Sequence, residues 1–201
     1  NKRIEIYTNQ KKFACDGIIL TPPALQTSDL IKELDTWLSI KILKVSYVPC
    51  WSLMLGLNKK IENQFNIKKN NFFDWIISEN YKINNFTLKN CLTLHTNENY
   101  SKKNINADKT QVLDELILEF CKMYNFKKTD FIYKNIHKWR FSKVENPFDV
   151  KESKVSEKLP LAISGDWCPP IFDNYVGKGR RIEDAFISGI QSSQELIKNY
   201  F

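Results

Sequence analysis

Alternating and helical spacings of apolar residues take turns along this chain. Residues 2–7 and 13–20 read as two strands joined by the polar turn Thr8-Asn9-Gln10-Lys11. In the second of these, Gly17-Ile18-Ile19-Leu20 is a continuous apolar run, the mark of a strand buried on both faces, and Thr21-Pro22-Pro23 stops it. From about residue 26 to 38, Leu30, Ile31, Leu34, Trp37 and Leu38 form a helical stripe. Residues 45–57 are the longest strand candidate. Val45, Tyr47, Trp51, Leu53, Leu55 and Leu57 share one parity, and Ser46, Cys50, Ser52 and Gly56 the other. Pro49 predicts an edge or a bulge that re-aims Trp51.

Two shorter strands are predicted at 72–78 and 91–96, among polar, Asn-rich loops. Residues 111–124 form an amphipathic helix, with Leu113, Leu116, Ile117, Phe120 and Tyr124 in register. Residues 131–141 alternate again: Phe131, Tyr133, His137, Trp139 and Phe141 point one way, Lys134, Lys138 and Arg140 the other. Residues 144–157 read as a charged loop, 161–164 as a short buried strand and 182–200 as a terminal helix. The mixture predicts an α+β protein. Its middle is a mixed or antiparallel sheet with flanking helices, and its two ends read as edges of a different, nucleotide-binding layer.

Composition sharpens this in a few respects. With 201 residues, 42% hydrophobic and 13% aromatic, the chain has material for a packed core. The formal net charge of +7 raises nucleic acid and anionic ligands as partners. The basic residues, however, are scattered through loops such as Lys59-Lys60, Lys68-Lys69-Asn70 and Lys102-Lys103-Asn104, so a solvated surface is favoured over a nucleic-acid footprint. Cys15, Cys50, Cys91, Cys121 and Cys168 are widely spaced, with no CxxC pair and no signal peptide, which fits reduced thiols and a cytoplasmic location. Two histidines without ligand-like spacing argue against a zinc site, and no metal is expected. No stretch approaches transmembrane length. The opening on Asn1, directly into a strand-like segment, reads as a piece of a longer protein.

Candidate chemistry concentrates near the carboxy terminus. The apolar run Leu161-Ala162-Ile163-Ser164 leads into Gly165-Asp166-Trp167-Cys168, and the terminal helix follows after a loop. The expected inner stripe of that helix is Ile182, Ala185, Phe186, Gly189, Ile190, Ser193 and Ile197, with small residues permitting close approach to a sheet. Unpaired N–H groups and the positive dipole end lie near its start, where Lys178, Arg180 and Arg181 are unfavourable unless an anion is nearby. Glu183 and Asp184 supply part of that compensation; an ordinary packed helix behind a basic loop explains the same residues. Residues 177–182 approach a GxGxxG turn, but the third glycine is absent and no strand precedes it. No Walker, GxSxG or HExxH motif occurs. Trp51, His95, His137 and Trp139 remain as pocket candidates: either satisfied core residues or the lining of a cavity for a flat ring.

Several of these segments, in order, resemble renalase-like flavoproteins of the flavin-containing amine oxidase superfamily. They are residues 45–56 (VSYVPCWSLMLG), Leu92-Thr93-Leu94-His95-Thr96, His137-Lys138-Trp139-Arg140-Phe141, and Gly165-Asp166-Trp167-Cys168 with residues 181–189 (RIEDAFISG). Residues 13–26 resemble the family's strand that leaves the FAD domain through a proline-containing hinge.

The resemblance implies terminal pieces of a Rossmann-type FAD-binding domain (1–22 and 156–201) around a substrate domain (23–155). It also implies that Asp166 hydrogen-bonds a ribityl hydroxyl, with Gly165, Trp167, Arg181, Ile182, Glu183, Asp184 and Ala185 completing the cofactor contacts. The backbone around 182–185 would face the flavin pyrimidine edge, where oriented N–H groups favour hydride acceptance. Trp51, His95 and Trp139 would form the catalytic wall opposite the flavin, with Arg140 structural. The implied chemistry is hydride transfer from a small reduced substrate, of dihydronicotinamide or amine type, to FAD and then to O₂. The amino-terminal βαβ unit with its glycine turn is missing from these residues. The parent enzyme is therefore expected to be active, the fragment alone to be inactive and prone to self-association. Two alternatives stay open: a non-enzymatic basic binding module, and a flavin-free degenerate homologue.

Overall fold

A computed structural model describes residues 3–58, 71–79, 90–172, 175–176 and 181–201. The Lys59-Lys60 and Lys68-Lys69-Asn70 loops, and Gly177, Lys178, Gly179 and Arg180 before the last helix, lie outside the described residues. The protein is α+β and divides into two compact units. Unit 1 comprises residues 1–47 and 143–201, and unit 2 residues 48–142.

Unit 1 opens with an antiparallel hairpin, β1 (Ile4–Tyr7) and β2 (Lys12–Cys15), turned through a Thr8 hydroxyl that accepts from Lys11 N at 2.9 Å. The single strand predicted over 13–20 is broken at Asp16-Gly17, and the chain changes sheets there. The next segment, β3 (Ile18–Leu20), pairs in parallel with β8 (Leu161–Ile163), a strand from the far end of the sequence. Residues 154–156 bond to the other edge of β8, through the Val155–Ala162 bridge and Ile163 N to Lys154 O. β8 is thus buried throughout, while β3 is half-buried.

The helix predicted over 26–38 is two helices, α1 (Ala24–Ile31) and α2 (Thr36–Ile42). Asp35 causes the break: its carboxylate caps α2 by accepting from Leu38 N at 3.0 Å, and its other oxygen accepts from the Ser156 hydroxyl at 2.6 Å. A cap of this kind is worth about 0.5–2 kcal/mol. Ser28 and Ser39, hydroxyls 2.8 Å apart, let the two helices approach closely. Of the expected stripe only Ile31 and Leu38 are buried; Leu30, Leu34 and Trp37 face solvent.

Ala24, Ile31, Ile42, Val144, Phe148, Ile163 and Trp167 share one core. Residues 23–47 and 143–155 therefore pack with the termini, and the compact units differ from the sequence-based division at 22/23 and 155/156.

Unit 2 is a four-stranded sheet of order β5-β6-β4-β7, from β4 (Ser46–Leu57), β5 (Phe73–Ser78), β6 (Cys91–Thr96) and β7 (Phe131–Asn146). The unit boundary falls inside β4 and β7. β7 continues to Asn146, through residues whose charge had suggested a loop.

One face of the sheet carries Trp51, Leu53, Leu55, Leu92 and Leu94 against Val112, Leu116, Ile117 and Phe120 of α4 (Lys109–Tyr124). Each such buried side chain contributes roughly 1.5–3 kcal/mol relative to exposure. Asp108 caps α4, and Asn125 ends it in the left-handed region at φ 56°. A short helix, α3 (Glu98–Asn104), occupies a stretch expected to be loop; Asn97 caps it by accepting from Tyr100 N at 2.8 Å.

Unit 1 closes with the two-residue strands β9 (Ile171–Phe172) and β10 (Tyr175–Val176), and with α5 (Ile182–Tyr200).

Candidate functional site

Each of the two units holds some of the sequence-predicted site residues.

In unit 1 the carboxyl end of β8 runs into a tight turn, closed by Cys168 N donating to Gly165 O at 3.1 Å. Gly165 has φ +147°, and a Cβ there would stand 2.9 Å from Trp167 Nε1, so only glycine fits without strain. The indole that imposes this is itself fixed. Trp167 is buried, donates from Nε1 to Pro22 O at 3.0 Å and packs edge-on to Phe148. Trp167 is thus a structural clamp that ties the turn to the end of β3. It is not among the residues lining the groove described next.

Asp166 is held half-exposed by this clamp, and burial raises its carboxyl above the ordinary range despite backbone N–H donors at Asp166 and Trp167. The Tyr47 phenol, which accepts from Ala24 N at 2.9 Å, is raised chiefly by burial and secondarily by the charge of Asp166. Beyond the turn lies an open groove of about 630 Å³, bounded by Thr21 and residues 164–166 on one side and by Ala185, Phe186, Gly189, Ile190 and Ser193 of α5 on the other.

The face that α5 turns to the strands differs from the expected one. Asp184, Ser188, Ser192 and Leu196 are buried, while Ile182, Phe186, Ile190 and Ile197 are exposed, Ile182 by 88% and Phe186 by 69%. The reason is hydrogen bonding. The Ser192 hydroxyl donates to Ile163 O at 2.8 Å, and Ser188 Oγ accepts from the Ser164 hydroxyl at 3.3 Å and from Gly165 N at 3.4 Å. Serines satisfy polar groups at the strand end that Phe and Ile cannot, so the helix rotates and presents Phe186 and Ile190 to the groove. Of the expected cofactor contacts, Gly165, Asp166 and Ala185 line the groove. Arg181, Ile182 and Glu183 are exposed and Asp184 is buried, and none of these four lines it.

Unit 2 carries the three residues expected to form a wall, and the register separates them. Trp51 is 0% exposed and lies on the helix-covered face, with Nε1 donating to Asn104 O at 3.3 Å and Lys138 Nζ 5.0 Å from its ring centroid. Pro49 does not re-aim it; Trp51 keeps the parity of Leu53 and Leu55 and belongs to the core.

His95 lies on the opposite face. Its Cα partners are Ser52 on β4 and Trp75 on β5, and its ring centroid is 4.9 Å from that of Trp75. Trp139 joins this face by donating from Nε1 to Ser52 Oγ at 3.1 Å, with His137 4.2 Å away between ring centroids. The row Trp75–His95–Ser52–Trp139 thus crosses all four strands. Trp75 and Ser52 were not picked out in the sequence. The signal that finds them is the strand register, which composition and parity within one strand do not contain. Arg140 is exposed.

Among the described residues no group of three or more His, Cys, Asp or Glu side chains could hold a metal ion, and no helix is long and apolar enough to cross a membrane. A comparison of the chain with protein-family models finds no match.

Proposed function

We propose that the chain is the substrate-domain and carboxy-terminal part of an FAD-dependent oxidoreductase of the renalase-like type. One observation carries the reading. A parallel strand pair opens at its carboxyl ends, through the glycine-acid turn Gly165-Asp166, onto a groove walled by α5. Ligands of α/β proteins sit outside the carboxyl ends of parallel strands.

The residues present suit a flavin there. Asp166 is a half-buried acceptor for a sugar-alcohol hydroxyl, and Phe186 and Ile190 are apolar walls for a ring. Bound FAD would supply two-electron redox chemistry, with a dihydronicotinamide or amine as donor and O₂ as acceptor. The chain would supply orientation and exclude water from the apolar side of the groove. The pyrophosphate is assigned in this reading to a glycine-rich strand–turn–helix upstream, so the 201 residues alone are expected not to turn over.

The test is purification with the native upstream coding sequence, followed by absorbance spectroscopy and identification of the released flavin. A yellow protein that releases FAD, and loses most of it in the Asp166→Ala variant, is the expected result. A colourless protein that gains no flavin absorbance from added FAD overturns the proposal.

A further inference from the structure

The packed helices α1 and α2 turn much of their apolar surface outward. In α2 only Leu38, Ser39 and Ile42 are buried. Trp37 is 63% exposed, Ile40 51% and Leu43 55%, a row at i, i+3 spacing, and Leu34 just before the helix is 55% exposed. Leu25 and Leu30 of α1 add two more exposed side chains. Single exposed apolar residues are ordinary, but six on one helical pair are not. Each leaves on the order of 100 Å² to be covered. Together they offer roughly 600 Å², the upper end for one patch on a monomer and most of the ~800 Å² that each partner gives to a standard interface.

The charges around this face say which partner it fits. Lys32 is paired with Asp29 at 3.4 Å, Lys41 with Glu152 at 2.6 Å, and the Asp35 carboxylate accepts from Leu38 N and the Ser156 hydroxyl. Glu157 and Lys158, one of each sign, flank Trp37 in a cleft of about 330 Å³. Within residues 24–44 this leaves Glu33 and Lys44, both exposed and without an ion-pair partner among the described residues. The signs are mixed throughout, so an anionic membrane or a nucleic acid finds no basic patch here.

The pattern is also symmetric. Glu33, Leu34 and Trp37 run toward the centre of α2 from one end, and Lys44, Leu43 and Ile40 mirror them from the other. A second α2 laid antiparallel on the first brings Trp37 to Ile40, Leu34 to Leu43 and Glu33 to Lys44, each contact made twice. A twofold interface requires this reciprocity. We propose that α1 and α2 form the interface of a homodimer, with α2 antiparallel to its copy across a twofold axis. The oxidoreductase reading does not use this face, so either proposal can fail while the other stands.

Sedimentation velocity of the 201-residue chain at low ionic strength is the test. The expected result is a reversible, concentration-dependent species of twice the chain mass. Trp37→Glu should make it monomeric with unaltered far-UV circular dichroism. Glu33→Lys and Lys44→Glu should each weaken dimerisation roughly three- to thirtyfold, since each sets like charges together at both ends of α2. Mixing the two single variants, or combining both substitutions in one chain, should restore it. Rescue by mixing does not follow from any effect within one chain. A monomer at every concentration, or a dimer left intact in folded Trp37→Glu, overturns the proposal. Charge reversals without effect or without rescue overturn it as well. So does a dimer of these residues that becomes monomeric when the native upstream sequence is present, which would assign the face to that segment. Cosedimentation of a monomer with phosphatidylglycerol vesicles, lost in Trp37→Glu, would overturn it too and make the face a lipid contact.

Discussion

Asp166 sits where burial and hydrogen bonding oppose each other. Two backbone N–H groups favour its carboxylate, but removal from water outweighs them and raises its folded-state pKa above the unfolded value. The proton is therefore held more tightly in the folded state. The stability this contributes is complete below the unfolded pKa, about 3.9 for an aspartate, and is lost as pH rises through the folded pKa. Asp166→Asn removes the cost of the charge while keeping the shape. The variant should melt at higher temperature than wild type at pH 7, with the difference narrowing as pH falls below about 4. Thermal melts from pH 3 to 8 check this; a difference independent of pH would contradict it. A residue kept at a cost in stability is typical of a ligand-contacting position.

The neighbouring Gly165 and Trp167 show how much of such a turn a sequence discloses. The glycine and the acid are visible as a turn after an apolar run. That the indole lies 2.9 Å from where a Cβ would stand, and is pinned to Pro22 O, comes from a contact 145 residues apart in sequence.

Elements built on local signals came out as the sequence predicted. The helix expected at 182–200 is α5, the strand expected at 91–96 is β6, and α4 begins two residues before the predicted 111. α4 also has both ends marked: Asp108 accepts from Thr110 N at 2.8 Å and Gln111 N at 3.1 Å, and Asn125 takes the left-handed C-terminal position. Replacing Asp108 with Ala removes this cap and should lower the midpoint of urea denaturation with an unchanged m-value. A midpoint within error of wild type would mean that the cap contributes nothing measurable.

The elements that diverged did so where a tertiary partner outbid periodicity. α1 and α2 separate because Asp35 is bonded both to Leu38 N and to Ser156. α3 has little apolar periodicity and is anchored by Asn97 and by the buried Tyr100 and Ser101. The orientation of α5 follows two serines rather than its aliphatic residues.

At the scale of the whole molecule, the five cysteines describe how the two units are built. None of the five is in a disulfide; Cys50 and Cys168 are buried, and Cys15, Cys91 and Cys121 are partly exposed. Burial raises the thiol pKa of Cys168 strongly, and of Cys50 and Cys121 to a lesser extent. With an aromatic disulfide reagent at pH 8, Cys15 and Cys91 should react first and Cys121 more slowly, with Cys50 and Cys168 silent until denaturant is added. Reductant should not change the melting temperature. Five rapidly reacting thiols in the native protein would show that the cores around Cys50 and Cys168 are not closed.

The amino-acid sequence by itself determined the α+β class, the positions of the long helices and alternating strands, and the glycine-acid turn. Each of these depends on a period of 2 or 3.6, or on the backbone preference of one residue, and so is written within a few positions. Only the tertiary structure decided that β3 lies parallel to β8, that Trp51 belongs to the core and Trp75 to the open face, and that α5 turns Phe186 and Ile190 toward a groove. Those outcomes depend on pairing register and on hydrogen bonds between residues far apart in the chain. A shift of one residue in register would exchange the two faces of a strand without altering any local pattern.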